Sequence, residues 1–442
     1  MAVIQNHVSA TKPEMKMKLR YRLGLILIAA CLVGVPGLVA ADDAVIHRAE
    51  SLPQTTPWDL AGLSKAPEFE WSDGKEVRSL YFRGEPYKGK VTRVFAYYAT
   101  PGTLAGDPAK DRNLPAIVLV HGGGGVAFPE WARLWAKRGY AAIAMDLGGC
   151  GPDKKPMADG GPAQWDNVKF GAIGEPVTDQ WTYHAVSAVL RAHSLIRSFP
   201  EVDVNRTAVT GISWGGYLTC IVAGLDNRFK AAVPVYGCGF LHENSAWLKD
   251  LGKLSAENQA KWVRLWDPSQ YVGSAAMPML FVNGGKDFAY PPDSYAKTYA
   301  LVQSPKNIRL VPDLPHGHIF DRPEAIEVFI EQCLNKGIPL VRITALAVGE
   351  KQVTASVETK TKLIAAELHY TLDALPGNPK TRQWASRPAT LAQNEITAEL
   401  PPENASVWFL TVTDERKVLV SSTFMFPKPK QVPVKPEAGA GK

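Results

Sequence analysis

Ser213 is the residue whose setting points most directly to chemistry. It lies in Thr207-Ala208-Val209-Thr210-Gly211-Ile212-Ser213-Trp214-Gly215-Gly216-Tyr217-Leu218. A serine with glycine two places before and two places after it suits a sharp strand-to-helix turn, which lifts the hydroxyl above a sheet as a nucleophile. Side chains at 211 and 215 would collide in such a bend, and Gly216 is expected to let the helix pack close to its strand. The flanks agree with this reading. Val202-Asp203 and the β-branched residues that follow suit a strand, and the apolar run 217–223, ended by Gly224, suits a buried helix. A small-residue loop without chemistry is the bland alternative, and the strand and helix patterns argue against it.

A hydroxyl becomes nucleophilic only with a base beside it, a carboxylate to orient that base, and donors to receive the oxyanion. Asp287, just past the apolar run Met279-Leu280-Phe281-Val282, is the candidate carboxylate, with Asp293 as its rival. The candidate bases lie in Leu314-Pro315-His316-Gly317-His318-Ile319-Phe320. Of the two, His318 is preferred, because an apolar residue follows it to fix the ring, and His316 is the alternative base. The order Ser, Asp, His is the one used by a large class of strand-turn-helix hydrolases. The glycine run after His121 offers backbone N–H groups at Gly123 or Gly124, and Trp214 supplies a second from the residue after the serine. No Lys-Ser/Thr follows the run, so a phosphate loop is not expected. His121 reads as structural, and His184 and His193 as structural or surface side chains. No histidine pair stands at metal-ligand spacing with a suitable carboxylate, so neither metal nor cofactor is called for.

These residues need a scaffold, and the pattern supplies one. Residues 42–75 lack a clear period. Residues 77–82 and 91–98 alternate as antiparallel strands; 114–120 is a continuous β-branched run, as in a strand buried on both faces. A helix over 131–138 and a strand over 141–145 follow. Residues 148–178, rich in Gly, Pro and Asp, read as a long excursion above the sheet, the usual place for a pocket wall. Beyond it, helices are expected over 179–199, 243–266, 295–302 and 323–335, and strands over 229–236, 277–282 and 307–311. Strands alternating with helices imply an α/β fold with a doubly wound, mostly parallel sheet. After Pro339 six short alternating runs, at 342–348, 352–358, 364–371, 395–400, 407–413 and 418–426, imply a small all-β sandwich.

Taken together, His121-Gly122-Gly123-Gly124, Gly211-Ile212-Ser213-Trp214-Gly215-Gly216, Asp267-Pro268-Ser269, Asn283-Gly284-Gly285-Lys286-Asp287 and Gly317-His318 resemble an α/β-hydrolase. The group is that of the acetyl xylan esterases, dienelactone hydrolases and prolyl oligopeptidase catalytic domains. The resemblance covers roughly residues 75–335. It implies that Ser213 is acylated, that Asp287 holds the imidazole, and that His318 shuttles the proton before water releases the acid. The sandwich lies outside the resemblance; support of the catalytic domain is ranked ahead of polysaccharide binding or association.

Composition narrows the partners. The 442 residues carry a formal charge of +6. Residues 1–41 hold +4 of it and residues 427–442 hold +3, leaving −1 for residues 42–426. No basic footprint for nucleic acid remains. Lys16 to Arg22 read as a basic region, and residues 23–35 as an apolar one ahead of Val39-Ala40-Ala41, the form of an export signal cut before Asp42. The expected organisation is therefore a signal segment over 1–41, a catalytic domain over 42–338, a sandwich over 339–426 and a disordered tail over 427–442. A lipid on Cys31, in Ile28-Ala29-Ala30-Cys31, is the minority reading, and no stable membrane span is expected because Gly34 and Pro36-Gly37 interrupt the apolar stretch. The expected compartment is periplasmic or extracellular. Four cysteines, at 150, 220, 238 and 333, leave pairing open, and oligomeric state is not legible.

The expected activity is hydrolysis of a small-molecule or carbohydrate ester, with acetylated plant polysaccharide as one substrate. An oligopeptidase-type serine peptidase is the rival, set back because about thirty-five residues separate position 42 from Val77, too few for a peptide-binding propeller. A non-catalytic polysaccharide-binding protein is the third reading.

Overall fold

The computed structural model describes residues 52–53, 56–375 and 377–427. The expected signal segment, Cys31 and residues 428–442 of the expected tail lie outside the described residues. Nine strands build the larger, N-terminal part: β1 (Phe69–Trp71), β2 (Arg78–Arg83), β3 (Arg93–Ala99), β4 (Leu114–Val120), β5 (Ala141–Met145), β6 (Val202–Ile212), β7 (Ala231–Val235), β8 (Met279–Gly284) and β9 (Lys306–Val311). They run in the order β1-β2-β3-β5-β4-β6-β7-β8-β9. Pairing is antiparallel from β1 through β3 to β5 and parallel from β5 to β9. This is the doubly wound, mostly parallel sheet that the alternation of patterns implied.

The central strands are apolar on both faces because helices cover both. In β4 every residue from Pro115 to Val120 is buried, and β5 and β7 are buried throughout. The helix Trp214–Leu225 after the serine is buried at every position. Its sequence is accordingly apolar all round, without a polar stripe.

Eight more strands follow: β10 (Arg342–Val348), β11 (Gln352–Glu358), β12 (Leu363–Thr371), β13 (Ala385–Pro388), β14 (Thr390–Ala392), β15 (Glu395–Glu399), β16 (Val407–Asp414) and β17 (Leu419–Ser421). They form the two layers of the expected sandwich. One is a separate four-stranded sheet, β10-β11-β15-β14; the other, β17-β16-β12-β13, continues the central sheet beyond β9. The join is a single antiparallel pair, Ser421 with Ile308, reinforced by the Leu310 N–H donating to Ser421 Oγ at 2.9 Å. Sequence pattern does not announce this continuity, since pairing between strands more than a hundred residues apart leaves no local signal.

Short elements escape the periodicity reading for want of length. β1 is a three-residue exposed edge, β13 and β14 are single short runs, and the helix Asp166–Gly171 in the 148–178 excursion makes fewer than two turns.

Candidate active site

Ser213 occupies the turn between β6 and the helix Trp214–Leu225 with φ 60° and ψ −119°. A non-glycine residue held there costs ~1–3 kcal/mol, and it persists because the surroundings over-determine it. The Ser213 N–H donates to the Val235 carbonyl at 2.8 Å, and a side chain at Gly215 would run into the Val120 and His121 carbonyls. Gly211 faces Gly215 just as closely. Gly216 does allow a close approach, but to the end of the neighbouring strand β7 at Val235 and Gly237. The backbone crossing, not hydrogen bonding by the serine side chain, sets the hydroxyl above the sheet.

The imidazole beside that hydroxyl is that of His316. Its Nε2 lies 2.8 Å from Ser213 Oγ and its Nδ1 lies 2.7 Å from Asp287 Oδ2. With Asp287 ionised, Nδ1 carries the proton and donates, leaving Nε2 as the acceptor for the serine hydroxyl. Asp287 is held in turn by the Ala289 and Tyr290 N–H groups, which donate to its Oδ1 at 2.7 and 2.8 Å. The His316 ring packs against Tyr236 and Phe288, each with centroids 4.8 Å away.

The preference for His318 is therefore corrected. Its Nε2 lone pair is already occupied, accepting the Gly122 N–H at 3.0 Å, and its ring leans on Phe128. His318 braces the glycine loop. The apolar neighbour that favoured it does belong to that packing, since Phe320 also lies against Phe128. Asp293, the rival carboxylate, accepts from Asn244 Nδ2 on both oxygens at 3.0 Å and takes no part in the relay.

The glycine loop stands over the elbow. Gly123 lies so close to Trp214 that a Cβ there would come within 2.6 Å of the indole. The backbone N–H groups of Gly123, Gly124 and Trp214 make no hydrogen bond among the described residues, whereas that of Gly122 is spent on His318. Gly123, Gly124, Ser213, Trp214 and His316 all line one cleft of about 480 Å³. His121 holds the loop from below: its Nδ1 donates to the Gly122 carbonyl at 2.8 Å, and its Nε2 accepts the Leu147 N–H at 3.0 Å. Asp267, in the Asp-Pro-Ser motif, is another structural carboxylate that accepts the N–H groups of Phe240, Leu241 and Ser269.

The opposite wall comes from residues that carried no signal in sequence. Gln164, Trp165, Asp166 and Lys169 belong to the 148–178 excursion, and Trp247 to the insertion after β7. Gln164 Nε2 donates to the Gly125 carbonyl at 2.6 Å, tying the excursion to the glycine loop. Lys169 Nζ donates to Asp166 Oδ1 at 2.9 Å and lies 4.6 Å from the Trp214 ring centre. Burial pulls this ammonium below its ordinary value, opposed by Asp166. Their roles depend on a long excursion folding back, which is why spacing alone could not find them; an expectation of a pocket wall was the only hint.

Buried histidines make the fold sensitive to acid. Burial pushes His121 and His193 down to about 4, and His318 is pushed to about 4 by burial and the two neighbouring histidines. Between pH 6.5 and 4 the unfolded chain thus binds more protons at these sites, and stability is lost as pH falls through that window. Asp146 acts oppositely: burial raises it to about 6, so folding gains as pH drops below that value. Three groups outweigh one. The urea midpoint is expected to be highest near neutrality and to fall measurably at pH 5; a midpoint unchanged between pH 7 and 4.5 contradicts this.

Among the described residues no cluster of His, Cys, Asp and Glu can hold a metal, no helix is long and apolar enough to cross a membrane, and all four cysteines are free.

The sequence matches the acetyl xylan esterase family profile (AXE1) over residues 68–290, and that of PhoPQ-activated pathogenicity-related protein over residues 250–373. An uncharacterized peptidase of Bacillus subtilis, YuxL, is 29% identical over 228 residues, 47% of this chain and 31% of its own. Acetyl esterase Axe7A of Xylanibacter ruminicola is 22% identical over 222 residues, 47% of this chain and 51% of its own. The chain thus spans about half, or less, of these curated relatives. Among solved structures, acetyl xylan esterase from Paenibacillus sp. R4 aligns with a TM-score of 0.53 at 24% identity, covering 66% of this chain and 96% of that one. Acetyl xylan esterase 1 from Thermoanaerobacterium sp. aligns at 0.51 and 19%, covering 64% and 96%. At such identities the likeness establishes the α/β-hydrolase fold.

Proposed function

We propose, since this chain belongs to the acetyl xylan esterase family, that it is an exported serine carboxylic-ester hydrolase acting on acylated carbohydrate. The observation that carries the reading is the unbroken relay from Asp287 through His316 to Ser213 at the floor of an open cleft. Ser213 Oγ attacks the acyl carbon while His316 Nε2 takes its proton, and Asp287 stabilises the imidazolium that forms. The oxyanion is received by the Trp214 N–H together with that of Gly123 or Gly124. His316 then protonates the departing alcohol, and water, activated by the same imidazole, releases the acid from Ser213.

Carbohydrate is supported by the cleft's rim. Trp165, 63% exposed, and Phe288, 44% exposed, line an otherwise half-polar opening and offer flat apolar faces to the C–H faces of sugar rings. Export is supported by the basic and apolar runs at 16–35. The peptidase reading is favoured by the similarity to YuxL.

The test is a substrate panel on the purified chain: acetylated xylo-oligosaccharides, a short-chain nitrophenyl ester and aminoacyl nitroanilides. Release of acetate and nitrophenol is expected; cleavage of the anilides alone would transfer the reading to a peptidase, and inertness with polysaccharide binding to a binding protein. In the same panel Trp165→Ala is expected to raise KM for the oligosaccharide about fivefold to tenfold while leaving that for the small nitrophenyl ester within about twofold, since it removes uniform binding only. Equal effects on both substrates would exclude the rim as the sugar platform.

A further inference from the structure

The loop that presents Asp287 is gripped from outside the catalytic half. Two residues before the carboxylate, the Gly285 carbonyl accepts hydrogen bonds from Arg382 Nη1 and Trp384 Nε1, each at 3.2 Å. Both donors come from the sandwich, between β12 and β13. Arg382 is only 3% exposed, and its Nε finds no partner among the described residues. Burying a guanidinium so sparsely bonded is costly. Its retention beside Gly285 is therefore a constraint on that carbonyl.

The fit leaves no slack. A Cβ at Gly285 would strike the Trp384 indole and come within 2.6 Å of the Pro312 carbonyl. Trp384 is braced by Phe409 of β16, with ring centroids 5.2 Å apart. On the far side of the carboxylate, Lys380 Nζ lies 4.9 Å from the ring centre of Phe288, which itself packs on His316. The sandwich thus touches the loop before and after Asp287. Within the loop, the Ala289 and Tyr290 N–H groups orient the carboxylate but move with it. The Gly285 N–H is held by Val311 of β9 at 2.8 Å, whereas its carbonyl is held by the sandwich.

We propose that Arg382 and Trp384 are positioning residues, a clamp through which the C-terminal sandwich sets Asp287 against His316 and so forms part of the active site. The inference rests on Ser213 being the nucleophile, and its test reads that nucleophile directly. In the full chain, Trp384→Phe deletes the indole N–H but keeps a ring against Phe409, and Arg382→Lys keeps the charge but loses the planar fork. The readouts are the rate of Ser213 labelling by a fluorophosphonate across pH, kcat and KM for nitrophenyl acetate, and the thermal midpoint.

Combined, the two substitutions are expected to slow labelling and lower kcat about tenfold, with KM within about twofold. The acid limb of the labelling profile should move to lower pH, because a loosened carboxylate stabilises the imidazolium less. In an Asp287→Asn background the same pair should add little, since both act through one carboxylate. Should the double variant unfold, Trp384→Phe alone is expected to show about a threefold loss with the same shift of the limb. Wild-type labelling in the folded variants, an unmoved limb, or an undiminished loss in the Asp287→Asn background would overturn the clamp. A wild-type chain that labels but cleaves no ester would defeat the esterase reading and leave the clamp to be judged on labelling.

Discussion

His316→Ala in the full chain is expected to lower kcat/KM for a nitrophenyl ester by about 10⁴-fold or more, matching Ser213→Ala. The chain should still fold. The imidazole lies between Ser213 Oγ and Asp287 Oδ2, at 2.8 and 2.7 Å, so its removal takes away the proton acceptor and isolates the carboxylate in one step. Residues that act as a unit do not lose activity additively, and the His316→Ala, Ser213→Ala double variant should be scarcely slower than either single.

His318→Ala should behave differently. It strips the acceptor from the Gly122 N–H and removes a ring packed on Phe128, loosening the glycine loop at a cost of about 1–3 kcal/mol in stability or transition-state binding. The activity that remains should keep the wild-type response to pH, because the base is untouched. Steady-state kinetics on the three variants, with circular dichroism to verify folding, decide the matter. A folded His316→Ala chain that retains activity while His318→Ala loses it would refute the assignment.

The second large effect is expected on stability. Asp226 is wholly buried, and its two oxygens serve Arg228 Nε at 2.8 Å, Arg228 Nη2 at 2.7 Å and His193 Nδ1 at 2.7 Å. His193 passes the connection on to Thr207 Oγ1 at 2.9 Å and stacks on Phe229 with centroids 3.6 Å apart. Burial opposes ionisation of Asp226, but His193 and Arg228 outweigh it and hold the carboxyl below the usual range. The network joins the helix Trp181–Ile196 to the start of the buried part of β6. Asp226→Ala leaves a guanidinium that is 5% exposed without its counter-charge. That substitution should cost about 3–5 kcal/mol, read as a shift of the urea midpoint at constant slope. A loss below about 1 kcal/mol would mean that the network relaxes or hydrates, and that Arg228 finds water. From the sequence, His193 reads as a structural or surface side chain; it is structural, and the Thr207-His193-Asp226 contacts carry no access to substrate, since both His193 and Asp226 are 0% exposed.

How much of this was legible beforehand depended on how local each cause was. β4, β5, β10 and β11 fall on residues 114–120, 141–145, 342–348 and 352–358, the very runs their patterns marked. A strand between two helix layers must be apolar at successive positions, and a strand with one covered face must alternate. The elbow was legible for the same reason: two chain segments crossing at Gly215 and the Val120 carbonyl exclude a Cβ, and that exclusion is written as a glycine.

The sequence by itself thus determined the layered sheet, the place of the elbow serine, the carboxylate after β8 and the glycine loop facing them. Only the tertiary structure decided which imidazole meets Ser213 and Asp287. His316 and His318 are two residues apart in a turn with no period, and one ring faces Ser213 while the other faces Gly122. It also decided that Lys169, Asp166 and Trp165 wall the cleft, and that Arg382 and Trp384 meet Gly285 from 97 and 99 residues away. Direction of a side chain in an aperiodic loop, and contact between segments far apart in the chain, are set by the packing of whole elements; neither leaves a mark on neighbouring residues.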